Sequence, residues 1–113
     1  MQEFLKLLRK TPEVITFEDT MGVIEQYYSF KPTAFSNGEI NNKLGENNGS
    51  CKLFAFAKLQ KLSEQETLNC FGQYYRLDVL NEPNGNNHQN IRNFMKTGWS
   101  SVEFEKQPLT LKS

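Results

Sequence analysis

The sequence predicts an α+β fold, with about five helices around a central buried helix and a small antiparallel sheet. Three observations lead there. Apolar residues recur at helical spacing through most of the chain. An Asn37-Gly38 hairpin signal interrupts that pattern near 33–42. After Gly98 the pattern alternates apolar and polar, as in strands. With 113 residues and no linker to divide them, 1–113 is expected to form a single domain.

Phe4, Leu5, Leu7 and Leu8 give a first amphipathic helix over 2–10, with Arg9 and Lys10 at the end that suits cations. Thr11-Pro12 interrupts it. Thr16 reads as an N-cap, followed by Glu18 and Asp19 in the first turn. Phe17, Met21, Ile24 and Tyr28 then define a second helix over about 17–29, and Pro32 prevents its continuation. Placing Asn37-Gly38 at the two central turn positions pairs Phe35 with Ile40 across a short hairpin. Residues 41–49 are a polar loop.

Ser50 is expected to cap the central helix, 51–61, which is apolar almost all round in its first two turns. A buried strand over Leu53–Ala57 is the alternative. Ser63-Glu-Gln-Glu66 is a capping box that opens a helix from about 64 to 80, with Leu68, Phe71, Tyr75 and Val79 as its stripe. Residues 81–87, NEPNGNN, are the clearest loop. A shorter helix at about 88–97 turns Ile91, Phe94 and Met95 inward and ends at Gly98. Val102 and Phe104, then Leu109 and Leu111, read as one or two closing strands that pair with the 33–42 hairpin.

Composition excludes several functions. Thirteen Lys and Arg balance thirteen Asp and Glu. Without a basic surplus, neither a nucleic-acid binder nor an anionic-membrane binder is expected. The longest apolar run, Leu53–Ala57, falls far short of a bilayer span, and the charged N-terminus is no signal peptide. Two Cys and one His cannot supply an ordinary four-ligand zinc site, and no cofactor is expected. The expected protein is a reduced, cytoplasmic monomer that engages a protein or small-molecule partner.

Two constellations carry candidate chemistry. The first is a thiol pair. Cys51 falls in the first turn of the central helix, whose positive end lowers a thiol pKa. His88 falls at the start of another helix, where the dipole keeps imidazole neutral and basic. Asp78, Asn86 or Asn87 could orient its ring, which completes the cast of a thiol hydrolase or transferase. The plainer reading makes Cys51 a small buried hydrophobe and His88 a surface cap. The second constellation is a binding surface. It joins Asn47, Asn48, Gly49 and Ser50, where the first polar loop runs into the central helix, to Asn86 and Asn87 of the second loop. Arg76 and Tyr74 lie off the apolar stripe of their helix and could rim a pocket, although a core-plus-surface role is the plainer reading. The binding reading is preferred, because a neutral chain with one His has few catalytic groups to arrange.

Five strings resemble the HopJ type III effector family: FEDTM at 17–21, PTAFSNGE at 32–39, NNGSCKLFAFAKL at 47–59, CFGQYYRLDVL at 70–80 and HQNIRNFMKTGW at 88–99. The resemblance covers almost the whole chain. It implies a small, single-domain bacterial protein, and for a true effector it implies secretion into a host cell. It carries over no catalytic residue, substrate or cofactor. The N-terminus departs from the flexible, Ser-rich form usual for such secretion signals, since 2–10 reads as a helix.

Overall fold

Two capping boxes set the helical frame. In the computed structural model, which describes residues 1–112, the Thr16 and Ser63 hydroxyls accept from the backbone N–H groups of Asp19 and Glu66. The carboxylates of Asp19 and Glu66 accept in return from the N–H groups of Thr16 and Ser63. These boxes satisfy otherwise orphaned donors. They start α2 (Phe17–Tyr27) and α4 (Glu64–Cys70). Ahead of them, α1 (Gln2–Lys10) buries Phe4, Leu5 and Leu8. The central helix is α3 (Asn48–Leu59), with Cys51, Leu53, Phe54, Ala55, Phe56 and Ala57 all buried. The last is α5 (Gln89–Thr97), which stops at Gly98 as its C-cap.

Among the described residues the strands are β1 (Tyr28–Phe30), β2 (Phe35–Asn37), β3 (Ile40–Asn42), β4 (Val102–Phe104) and β5 (Leu109–Leu111). They form two small antiparallel sheets, ordered β3-β2-β4 and β1-β5. As expected, β4 joins the hairpin, with Phe104 opposite Phe35. In contrast, β5 pairs with β1, setting Leu111 opposite Tyr28.

That second sheet corrects the expected helix over 17–29. The chain leaves helical geometry at Tyr28, which is extended (φ −130°, ψ 150°) and pairs with β5. Long-range strand pairing overrides a helical pattern that would have run two residues further. The hairpin register is also corrected. Asn37 lies opposite Ile40 and Phe35 opposite Asn42, so Gly38-Glu39 makes the turn. Phe35 and Ile40 are therefore not direct partners. Gly38 has φ 61° while Glu39 has no positive φ, which is the Gly-first pattern of a II′ turn. The Asn37 side chain is fully buried and donates to the Asn90 carbonyl at 2.7 Å. Its inward role removes it from the turn.

Helix α3 begins before Ser50, which lies inside the first turn; Asn47 is its N-cap. The helix expected over 64–80 is broken at Gly72. There φ is 60°, and a Cβ would stand 2.5–2.7 Å from backbone atoms of Thr16 and Phe17. Only glycine lets the start of α2 approach this closely. The chain resumes as a π-helical turn, Tyr74–Val79, which still buries Tyr75 and Val79. Met95 faces outward at 45% exposure, whereas Ile91 and Phe94 are buried as expected. Arg92 and Asn90 take the buried places on α5.

Phe54 sits among Phe35, Phe71, Phe94 and Trp99, with ring centroids 5.0–6.4 Å away. Phe56 meets Phe4 and Tyr28, each at 6.0 Å and edge-on. The central helix therefore ties α5 and the three-stranded sheet to α1 and the two-stranded one. Both cysteines are buried and free.

Candidate functional site

The N-termini of α3 and α5 share an unusual backbone. Their N-caps, Asn47 and His88, are left-handed, with φ of 52° and 51°. For residues bearing a Cβ this costs roughly 1–2 kcal/mol each, so the surroundings must hold them in place. Asn47 donates from its side-chain amide to Asn42 Oδ1 at 2.6 Å. Asn42 exchanges hydrogen bonds with Asn90, at 3.0 and 3.2 Å, and Asn37 donates to the same Asn90 oxygen. This buried amide network ties the hairpin to both helix starts.

His88 is held by its ring. Nε2 lies 2.9 Å from Asp78 Oδ2, and the ring stacks on Tyr74 at 5.1 Å with planes 23° apart. A carboxylate only accepts, so Nε2 carries a proton directed at Asp78. Tyr74 leans on Phe17 at 5.0 Å, and Phe17 stacks on Phe71 at 6.3 Å. Gly49 admits the Phe17 ring, whose edge would stand 2.9 Å from a Cβ there.

These residues enclose a cleft of about 460 Å³, within the range of small-molecule sites. Phe17, Ile40, Phe71 and Tyr74 supply apolar wall, and Asn47, Gly49, Ser50, His88 and Gln89 supply polar positions. The first amides of each helix have no intrahelical acceptor, so both N-termini offer backbone donors. Asn48 Oδ1 is buried without a hydrogen-bond partner.

Asn47, Gly49, Ser50 and His88 are thus brought together, with Asn48 beside them. Cys51 is not among the lining residues. It is fully buried, its N–H donates to Asn47 O, and burial pushes its thiol up to about 11 against a weaker opposing contact from the Thr33 backbone. Asp78, foreseen as one possible orienting group, is the one that meets His88. Asn86 accepts from Gln89 through its carbonyl. Asn87 is engaged by Arg92, through both its carbonyl and side-chain oxygens. Arg76 donates to Pro12 O at 3.1 Å, away from the cleft.

Sequence reading missed Phe17, Ile40, Phe71, Gln89 and Asn90. The aromatics read as core because they fall on helical stripes, and nothing local marks an Asn as buried. Among the described residues no cluster of His, Cys, Asp and Glu is arranged to hold a metal ion, and no helix is long and apolar enough to cross a membrane.

Comparison with solved structures finds a crystal structure of an unknown-function protein, VPA0580. It shares 55% identity and superposes with a TM-score of 0.97 over 99% of this chain and 93% of that one. No curated protein matches. The model of the HopJ type III effector protein family matches residues 1–109. Those residues include the N-termini of α3 and α5, the hairpin and every side chain of the cleft, and the chain belongs to the HopJ family.

Proposed function

We propose that this protein is a non-catalytic module that binds a small ligand in the cleft between the N-termini of α3 and α5. The observation that supports this reading is the pair of left-handed N-caps, Asn47 and His88, held at strained backbone angles beside one cleft. Strain of this kind persists where the surroundings hold it, and it gathers at binding sites; the third left-handed residue bearing a Cβ, Lys61, lies outside the cleft. The mixed lining suits a ligand with an apolar or aromatic body and a few hydrogen-bond acceptors. Backbone amides of the helix starts would meet the acceptors, and Tyr74 with Phe17 would meet the body.

The alternative, a thiol hydrolase or transferase using Cys51 and His88, asks for an accessible thiolate. The protonated thiol buried outside the cleft weighs against it. A fragment screen on the full chain, read by amide and aromatic chemical shifts, tests the binding reading. Hits should bind saturably with shifts gathered on Asn47, Gly49, Ser50, Tyr74 and His88. His88→Ala should weaken them about tenfold or more, as expected when an anchoring ring and its hydrogen bond are lost. Fragments that bind only elsewhere, or not at all, would defeat it.

A further inference from the structure

Arg92 is a buried cation without an anion. It is 8% exposed, yet the ion pairs among the described residues are Arg9–Glu66 and Asp78–His88. The Arg92 guanidinium donates instead to neutral oxygens: Nε to Asn87 O, one terminal nitrogen to Glu82 O at 2.6 Å and the other to Asn87 Oδ1 at 2.7 Å. Three of its five N–H groups are used and two remain. Burying a charge is costly unless an opposite charge compensates, and carbonyl dipoles do so only in part.

The same guanidinium lines a groove of about 410 Å³, separate from the α3/α5 cleft except for Gln89 at their shared rim. Gly85 lies in the same groove and lets the 81–87 loop close against the guanidinium, since a Cβ there would stand 2.7 Å from a terminal nitrogen of Arg92. The other walls are Val79, Leu80, Pro83 and Met95, with Lys96 beside them. Leu80 and Met95 are exposed apolar side chains, and Leu77 is exposed on the same turn of chain as Leu80. Among the described residues no carboxylate lines the groove. Two cations at one side of an apolar trough define an amphipathic complement: an acid head for the Arg92 fork and an alkyl body for the walls.

The geometry points to a second binding site, for a small alkyl carboxylate, in the groove between the π-helical turn and α5, with its carboxylate on Arg92 and Lys96 and its chain along Val79, Leu80 and Met95.

Octanoate is the probe, titrated into the isotope-labelled full chain with 1-octanol and acetate as controls. Octanoate should give saturable shifts at the Val79, Leu80 and Met95 methyls and at Arg92 Nε–H. Its affinity should exceed that of either control about tenfold or more, because each control lacks one half of the complement. Arg92 also pins the loop 81–87, so its removal is a poor test. Met95→Glu sets a carboxylate one helical turn from Arg92 and should weaken octanoate at least about tenfold with the fold intact, as judged by the unshifted remainder of the spectrum. Lys96→Gln should weaken it by a smaller factor. Equal binding of 1-octanol would leave only an apolar trough, and equal binding of acetate only a bare cation. Either result, indifference to Met95→Glu, or shifts confined to a different groove, the one lined by Ala55, Leu59 and Phe104, would overturn the assignment.

Discussion

Cys51 shows how position along a helix and position in a molecule can point opposite ways. At the start of α3 its thiol lies where a helix dipole favours the thiolate. Burial acts more strongly, and Cys51 rises to about 11. Cys70 rises to about 12, chiefly through burial and then through the Glu66 charge nearby. Both thiols are therefore expected to resist iodoacetamide in the folded protein at pH 7; fast, His88-dependent labelling of Cys51 would restore the thiol-enzyme reading. The same raised values make stability fall in alkali. In the unfolded chain the thiols ionise near pH 8.5, while the native ones stay protonated, so the unfolded state binds fewer protons over the interval between. The thiol contribution is complete below about pH 8.5 and declines as pH rises toward 11–12, by about 1.4 kcal/mol per unit for each thiol. Urea melts at pH 8 and pH 10 should show this loss relative to a Cys51→Ala/Cys70→Ala variant, which cancels the titration of Tyr and Lys. Parallel pH profiles for the two proteins would contradict it. Cys51 and His88 could both be placed near helix starts from the sequence. Which of them faces a cleft was not legible, because facing depends on neighbours outside its own helix, Asp78 and Tyr74 for His88 and Thr33 for Cys51.

Elements with local causes were legible. The Ser63–Glu66 capping box and the Thr16 N-cap each have their cause within four residues, and both formed, Asp19 closing a second box on Thr16 that was not foreseen. The loop 81–87 was legible too, although Arg92 fixes it from outside. Elements shaped by distant partners were less so. Leu68, Phe71, Tyr75 and Val79 were correctly read as buried, but the helix carrying them breaks at Gly72 because the start of α2 passes close to it. Phe17 N–H then finds its acceptor on Gln73 at 3.0 Å. Gly72→Ala combines a φ of 60° with a backbone clash, two costs that add. It is expected to destabilise by about 2–4 kcal/mol, well beyond the usual Gly→Ala effect of about 1 kcal/mol in either direction. Phe17 and Tyr74 flank the junction, so the variant should also disturb the cleft, seen as shifts at His88. A stable Gly72→Ala protein with an unchanged melt would mean that α2 and α4 are not locked together here.

At the scale of the molecule, the two short sheets and helices α1–α5 hold together because one helix, α3, reaches across the core between them. Hydrophobic residues are only 37% of the chain, so aromatic area must replace aliphatic bulk. Phe54 and Phe56 supply it in opposite directions, one toward α5 and the three-stranded sheet, the other toward α1 and the two-stranded one. This central helix was legible from its all-round apolar pattern, whereas the second sheet was not, since nothing in Tyr28–Phe30 announces Leu109–Leu111 as its partner. If one core unites the molecule, truncating either ring should lower the stability of every element together. Phe54→Ala and Phe56→Ala are each expected to cost about 3–5 kcal/mol out of a total of about 5–15. Each should shift the urea midpoint with a single transition and an unchanged slope, monitored in parallel by Trp99 fluorescence and far-ultraviolet circular dichroism. Trp99 packs on Phe54 and reports the α5 side, whereas circular dichroism averages all helices. If Phe56→Ala instead released α1 and the β1-β5 sheet while Trp99 stayed native, the two signals would separate, and the molecule would be two cores sharing a helix.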